Sequence, residues 1–194
     1  MSPVLHVIAG PNGAGKTTLY EQVIEPTTHL PFVNADHIAA RDWPGAEVSH
    51  GHEAAARAAA ERDQLIDARR SFVTETVFSH SSKVDLVAAA RHAGYLITLH
   101  VVMIPADLAV LRVADRVSRG GHDVPEEKIR TRWTRLWAYV ADAAAVADDV
   151  VIYDNSKAKH PLRVVARLHN GQPTTAAELP SWTPDELAAL LVRR

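Results

Sequence analysis

Ten residues near the start of the chain, Ala9-Gly10-Pro11-Asn12-Gly13-Ala14-Gly15-Lys16-Thr17-Thr18, contain the pattern G-x-x-x-x-G-K-[ST]. The apolar, β-type run Val4-Leu5-His6-Val7-Ile8-Ala9 precedes it, and a helix-compatible stretch from Thr17 to Ile24 follows. Strand, glycine turn and helix in that order are what a phosphate-binding P-loop needs. Glycines at 10, 13 and 15 let backbone N–H groups turn inward around phosphate oxygens, and the helix points its positive dipole end at the same place. Lys16 is placed to reach the β- and γ-phosphates, and the Thr17 hydroxyl to bind Mg²⁺. The residues expected to cradle a nucleoside triphosphate are Gly10, Pro11, Asn12, Gly13, Ala14, Gly15, Lys16, Thr17 and Thr18.

Short apolar runs alternate with helical patterns through the rest of the chain. Strands are predicted at 4–9, 32–35, 72–77, 95–104 and 149–153, with a further edge strand at 163–168. Helices are predicted near 16–25, 47–70, 82–93, 106–119 and 125–147, with Gly94 closing the third of them as a C-cap. Such alternation gives an α/β fold, the P-loop NTPase three-layer sandwich: a mostly parallel sheet of five to six strands with helices on both faces. Asn170-Gly171 reads as a turn and 172–184 as a surface loop. Thr183 and Pro184 then read as the N-cap and N1 of a short last helix. With 194 residues, no internal repeat and no low-complexity linker, one domain is expected over 1–194, with a lid at about 112–132 and a C-terminal loop and helix at about 170–194.

Composition excludes several alternatives. There is no cysteine, hence no disulfide, thiol chemistry or cysteine-held metal. No apolar run approaches the roughly 20 residues that cross a bilayer. The N-terminus enters the first strand directly, leaving no room for a signal peptide, so a cytoplasmic location without membrane association is expected. A formal net charge of −2 argues against a nonspecific nucleic-acid binder. The eleven histidines are scattered, with no H-x-x-x-H pair, and read as surface or core residues.

The chain lacks an LSGGQ-like signature, an N-K-x-D guanine motif and a D-E-x-x box, which leaves the small-molecule kinase plan. Asp36 ends the run Phe32-Val33-Asn34-Ala35-Asp36, at the carboxyl end of the second strand, where open α/β sheets place ligands. A carboxylate there can accept the proton of a hydroxyl attacking the γ-phosphate; its alternative role is to cap the following turn. Glu75 lies at the end of the third strand, where an acid needs a partner: the water shell of Mg²⁺, a substrate hydroxyl or a structural arginine. Arg112, Arg116 and Arg119 share one helical face, followed by Gly120-Gly121 as a hinge and by Arg130 and Arg132 on the next helix. This reads as a lid closing over phosphates, with a solvated basic face as the alternative.

Taken together, the P-loop, Val33-Asn34-Ala35-Asp36, Phe72-Val73-Thr74-Glu75-Thr76-Val77-Phe78-Ser79, the run Arg116 to Pro125 and Tyr153-Asp154-Asn155-Ser156 resemble the zeta-toxin-like P-loop kinases over about residues 4–156. That group includes compact members sometimes labelled ABC-type ATPases. The resemblance implies ATP and Mg²⁺ as cofactors and a sugar hydroxyl of UDP-N-acetylglucosamine as acceptor. It makes Asp36 the base, with Lys16 and Thr17 on phosphate and metal. Glu75 would contact substrate or the metal's water shell. Arg116, Arg119 and Arg132 would hold phosphates, and Asn155 would lie at the nucleobase. It also raises an antitoxin protein as a partner. Ser79, His80 and His122 complete the candidate substrate residues, although Ser79 and Ser82 read equally as helix caps. The chain has little material beyond the kinase core, unlike typical full-length zeta toxins. A kinase for an antibiotic or nucleoside therefore stays open, as does a nucleotide-binding regulatory ATPase.

Overall fold

A computed structural model describes residues 2–121 and 123–192. Its centre is β1 (Val4–Ala9), which is buried on both faces. Leu5, Val7 and Ala9 point into one core with Ile97, Leu99 and Trp137, while Ile8 points into a second core with Leu19, Val113 and Ile129. This period of two, apolar on both sides, is what a central parallel strand between two helical layers requires.

The other strands are β2 (Phe32–Val33), β3 (Phe72–Thr76), β4 (Leu96–Met103), β5 (Asp149–Asp154), β6 (Arg163–His169) and β7 (Gln172–Pro173). They form one sheet in the order β2-β3-β1-β4-β5-β6-β7. The first five are mutually parallel; β6 runs antiparallel to β5, and β7 antiparallel to β6. The expected three-layer P-loop architecture is present. The extra strand is the two-residue β7, which Asn170-Gly171 turns back onto β6 from a stretch read as loop.

The helices are α1 (Lys16–Leu19), α2 (Glu25–Thr28), α3 (Ala35–Asp42), α4 (Gly51–Asp67), α5 (Ser82–His92), α6 (Ala106–Ser118), α7 (Glu126–Ala144) and α8 (Asp185–Leu190). Helices α1 and α2 are joined by a π-helical turn, Tyr20–Ile24. Pro26 has no N–H to donate four residues back, and the widened turn upstream absorbs that loss. Three local expectations change. The second strand stops at Val33 rather than 35, because Asn34 caps a helix, α3, that was read as a turn. Pro184, not Thr183, occupies the N-cap of α8, and the Thr183 hydroxyl donates to the Pro180 carbonyl at 2.7 Å. Helix α4 starts at Gly51 and ends at Asp67, inside the expected 47–70. No helix among the described residues is long and apolar enough to cross a membrane.

Candidate active site

The P-loop connects the buried end of β1 to α1, and its glycines are required by its path. Gly15 has φ +88°, and a Cβ there would come 2.5 Å from Asn155 Nδ2; a Cβ on Gly10 would meet the Val102 carbonyl oxygen at 2.3 Å. Asn155 follows β5 and is buried. Its Nδ2 donates to the Ala14 carbonyl at 2.7 Å, and its Oδ1 accepts from Leu162 N at 3.0 Å. Arg112 on α6 then donates to the Asn155 carbonyl at 2.9 Å and reaches the Gly13 carbonyl at 3.5 Å. The loop is thus clamped from outside by two residues distant in sequence. The Asn155 side chain, expected at a nucleobase, is instead engaged with loop backbone.

Inside the loop, Lys16 is buried; its Nζ donates to the Pro11 carbonyl at 3.0 Å and lies 3.6 Å from Glu75 Oε1. Glu75 Oε2 accepts from the Thr17 hydroxyl at 2.9 Å and from Asn34 Nδ2 at 3.0 Å. Among the described residues the partners of Glu75 are lysine, threonine and asparagine rather than the structural arginine considered for it. Asn34 was missed by the sequence reading, yet it joins two parts of the site. Its Oδ1 accepts from the Asp36 and His37 backbone N–H groups at 2.7 and 3.4 Å, capping α3, while its amide orients Glu75. Asp36 therefore occupies the first turn of α3 rather than a strand end, where a carboxylate is favoured by the helix dipole.

These residues open onto a cleft of about 710 Å³ that is also lined by Ser79, His80, Arg112, Arg116 and Arg132. Arg132 donates to Asn12 Oδ1 at 3.4 Å. Burial lowers its pKa, and the nearby Asp36 charge opposes that shift. Burial also pushes the Arg112 guanidinium down. Arg119 does not join this group. Helix α6 ends at Ser118, so Arg119 leaves the helical stripe and pairs with Asp115 at 2.9 Å in solvent. Arg130 also faces outward, pairing with Asp107 and Glu126 at 2.7 and 2.8 Å. Thr18 is exposed at the start of α1. His122 lies outside the described residues.

The cap at α5 differs from expectation as well. No side-chain hydroxyl caps it; the His80 ring accepts from Ser82 N at 3.2 Å and contacts Ser82 Oγ at 3.1 Å. Phe78, fully buried just beyond β3, holds φ +65°, a strained conformation for a bulky residue. Its N–H is held by Thr76 Oγ1 at 3.2 Å, which fixes the chain as it turns into the cleft wall.

The Thr17 hydroxyl and the Glu75 carboxylate present oxygen donors suited to Mg²⁺. Among the described residues no cluster of three or more His, Cys, Asp or Glu side chains is placed to hold a metal ion. A cation here fits only as one shared with a triphosphate and water, which is how Mg²⁺ is usually held.

The family model described as Zeta toxin matches residues 1–161. The chain belongs to the zeta toxin family. No curated protein matches it by sequence. Among solved structures, it resembles a chain of the PezAT chromosomal toxin–antitoxin system of Streptococcus pneumoniae at TM-score 0.64 and 14% identity, covering 97% of this chain and 84% of that one. A chain of the AvrRxo1-ORF1:AvrRxo1-ORF2 complex with ATP gives TM-score 0.67 at 17% identity, covering 99% and 72%. Shikimate kinase from Acinetobacter baumannii, in complex with shikimate, gives 0.51 at 18%, covering 73% and 80%. At these identities the structural likeness shows the fold, a P-loop kinase fold. Family and fold together support an ATP-binding P-loop kinase function.

Proposed function

We propose that this zeta toxin family member transfers the γ-phosphate of ATP to a hydroxyl of a small metabolite, with the sugar of UDP-N-acetylglucosamine as the first acceptor to test. The observation that carries the reading is the pairing of a clamped P-loop with an acid, Asp36, across one cleft. A regulatory ATPase needs the first and has no use for a base aimed at an acceptor.

Each residue then has a definite task. Backbone N–H groups of Gly13 to Thr17 bind phosphate oxygens, and Lys16 exchanges its bond to the Pro11 carbonyl for the β- and γ-phosphates. Thr17, with Glu75 behind it, would hold Mg²⁺, whose charge would neutralise the phosphates. Asp36 takes the proton of the acceptor hydroxyl as its oxygen bonds to the γ-phosphorus, the bond from that phosphorus to the β–γ bridging oxygen breaks, and ADP leaves. Arg116 and Arg132 hold the phosphoryl group from α6 and α7, using planar forks that contact two oxygens at once. The lid is the α6–α7 junction, and its closure would exclude water, directing the phosphate to the acceptor. An antitoxin that covers this cleft is the partner the family relationship raises.

The test is phosphorus NMR of UDP-N-acetylglucosamine incubated with the protein, ATP and Mg²⁺. A new phosphomonoester resonance, in amounts matching the ADP formed, is the expected outcome. ADP without any phosphomonoester on this sugar nucleotide removes it as acceptor.

A further inference from the structure

One wall of the cleft carries positive charge that the phosphate-binding loop does not use. Helix α4 buries Ala54, Ala58, Arg62 and Leu65, a spacing that marks its core-facing stripe, and Arg62 stands on that stripe as its only charge. It is 6% exposed and still lines the cleft. Its one hydrogen bond among the described residues is a long contact, 3.5 Å from Nη1 to Thr74 Oγ1, a hydroxyl already donating to the Val33 carbonyl. A guanidinium has five N–H donors, so most of its capacity is unspent. Lys83, in the first turn of α5, lines the same wall, and no side-chain partner for it occurs among the described residues. Burial lowers the pKa of both groups, and the Arg62 charge lowers Lys83 further.

Glu61 and Asp63 act on Arg62 only through their charge, and among the described residues no carboxylate pairs directly with either cation. Two neighbouring, desolvated cations left so are costly to keep in a folded chain, and they bind an oxyanion well for the same reason. Their position says which molecule brings that anion. Arg62 touches β3 beside β2, the flank from which Asp36 projects at the start of α3. The arginines facing the triphosphate come from α6 and α7, which follow β4 on the other flank of β1.

We propose that Arg62 and Lys83 form an oxyanion subsite for the acceptor, so that the molecule phosphorylated carries a phosphate or carboxylate group held by these two side chains while its hydroxyl faces Asp36. The assignment rests on the kinase reading of the cleft. Arg62 contributes a planar fork and Lys83 a mobile point charge, so Arg62 sets orientation and Lys83 adds affinity.

The experiment titrates the full chain, saturated with Mg²⁺ and a non-hydrolysable ATP analogue, with inorganic phosphate, inorganic pyrophosphate or acetate at constant ionic strength in chloride. The nucleotide analogue fills the P-loop, and the backbone amide resonances of Thr74 and Val84, which both substitutions leave in place, report on the second site. Saturable shifts are expected for at least one oxyanion, weakened about ten-fold or more in both Arg62→Gln and Lys83→Gln, with affinity for the nucleotide analogue retained. A response to phosphate or pyrophosphate alone assigns a phosphorylated acceptor, and a response to acetate alone a carboxylate. No saturable shift beyond chloride, or equal affinity in both variants, means an adventitious ion only and overturns the proposal. Arg62→Met adds a readout that separates ligand binding from packing: its melting temperature without anion should equal or exceed that of the parent, whereas a structural arginine would give a clear loss. The two readings fail separately. Arg62-dependent anion binding without phosphoryl transfer to any acceptor sinks the kinase and leaves the subsite. Phosphorylation of a neutral acceptor with unchanged kcat/KM in Arg62→Gln sinks the subsite and leaves the kinase.

Discussion

The two ends of the cleft are built on opposite plans. At the P-loop end nearly every polar group is already engaged: Lys16 with Pro11 and Glu75, Thr17 and Asn34 with Glu75, and Asn155 with Ala14 and Leu162. At the opposite end Arg62 has one long contact and Lys83 none among the described residues. The first end keeps its geometry before any ligand arrives, which is what electrostatic stabilisation of a transferring phosphoryl group demands. The second would, on the proposed subsite, hold charge in reserve for a molecule that supplies the counter-charge. Under the proposed function, the difference teaches that chemistry would be set by the self-satisfied end and specificity by the unsatisfied one.

Substitutions can break that division. Asp36→Asn should cut phosphoryl transfer by ~10²–10⁴-fold while nucleotide affinity holds, because only the proton acceptor is lost and the amide still fits the first turn of α3. Measuring turnover beside nucleotide binding, with and without Mg²⁺, checks this; a Mg²⁺-dependent loss of affinity would move Asp36 into the metal's water shell. Lys16→Ala follows, with a loss on the order of 10²–10³ in rate and a fold unchanged by circular dichroism. Wild-type turnover in that variant would remove the loop from catalysis.

Smaller effects sharpen the comparison. Asn155→Ala leaves the buried Ala14 carbonyl and Leu162 N–H without partners, at about 1–3 kcal/mol of stability, and should loosen nucleotide binding by roughly ten-fold. Chemical denaturation and nucleotide titration together test it; lost stability with unchanged nucleotide affinity would make Asn155 purely structural. The smallest change at neutral pH lies away from both ends. His100 is buried between His6 and Tyr153, at 3.1 and 3.2 Å, and burial pushes its pKa down to about 3. The unfolded chain, with an ordinary value of 6.5, binds this proton where the folded chain does not. Stability is therefore full above about 6.5 and falls as pH drops toward 3. His100→Gln should flatten that decline in acid denaturation curves; an unchanged slope would assign it to other groups.

The loop end was legible in the sequence because its chemistry is contiguous: ten residues carry turn, charge and hydroxyl in a fixed order. Glu75 was legible as an acid at a strand end. Asp36 was legible as a cleft acid but assigned to a strand end instead of the first turn of α3, since Asn34 was read as strand. An Asn two residues before an Asp is in fact the signature of a helix start, and here it outweighed the short apolar run Phe32-Val33. The stripe of lid arginines was extended one residue too far, since the helix ends before Arg119. Asn155 left no local trace of its task, because its partner Ala14 lies 141 residues away. Arg62 did leave one. Ala54, Ala58 and Leu65 define the buried face of α4, and a charge in phase with them marks a site. Composition alone hid it among helix formers.

The most direct measurement follows the label of γ-labelled ATP in a single turnover, with Mg²⁺ and a pool of small metabolites, and compares label on an acceptor with label released as inorganic phosphate. A kinase with a base in place transfers: most of the label should appear as an acid-stable phosphate ester on a metabolite, and omitting the pool should leave ATP largely intact. Label released only as inorganic phosphate, at the same rate with or without the pool, would contradict phosphoryl transfer to a hydroxyl and make the chain a slow ATPase.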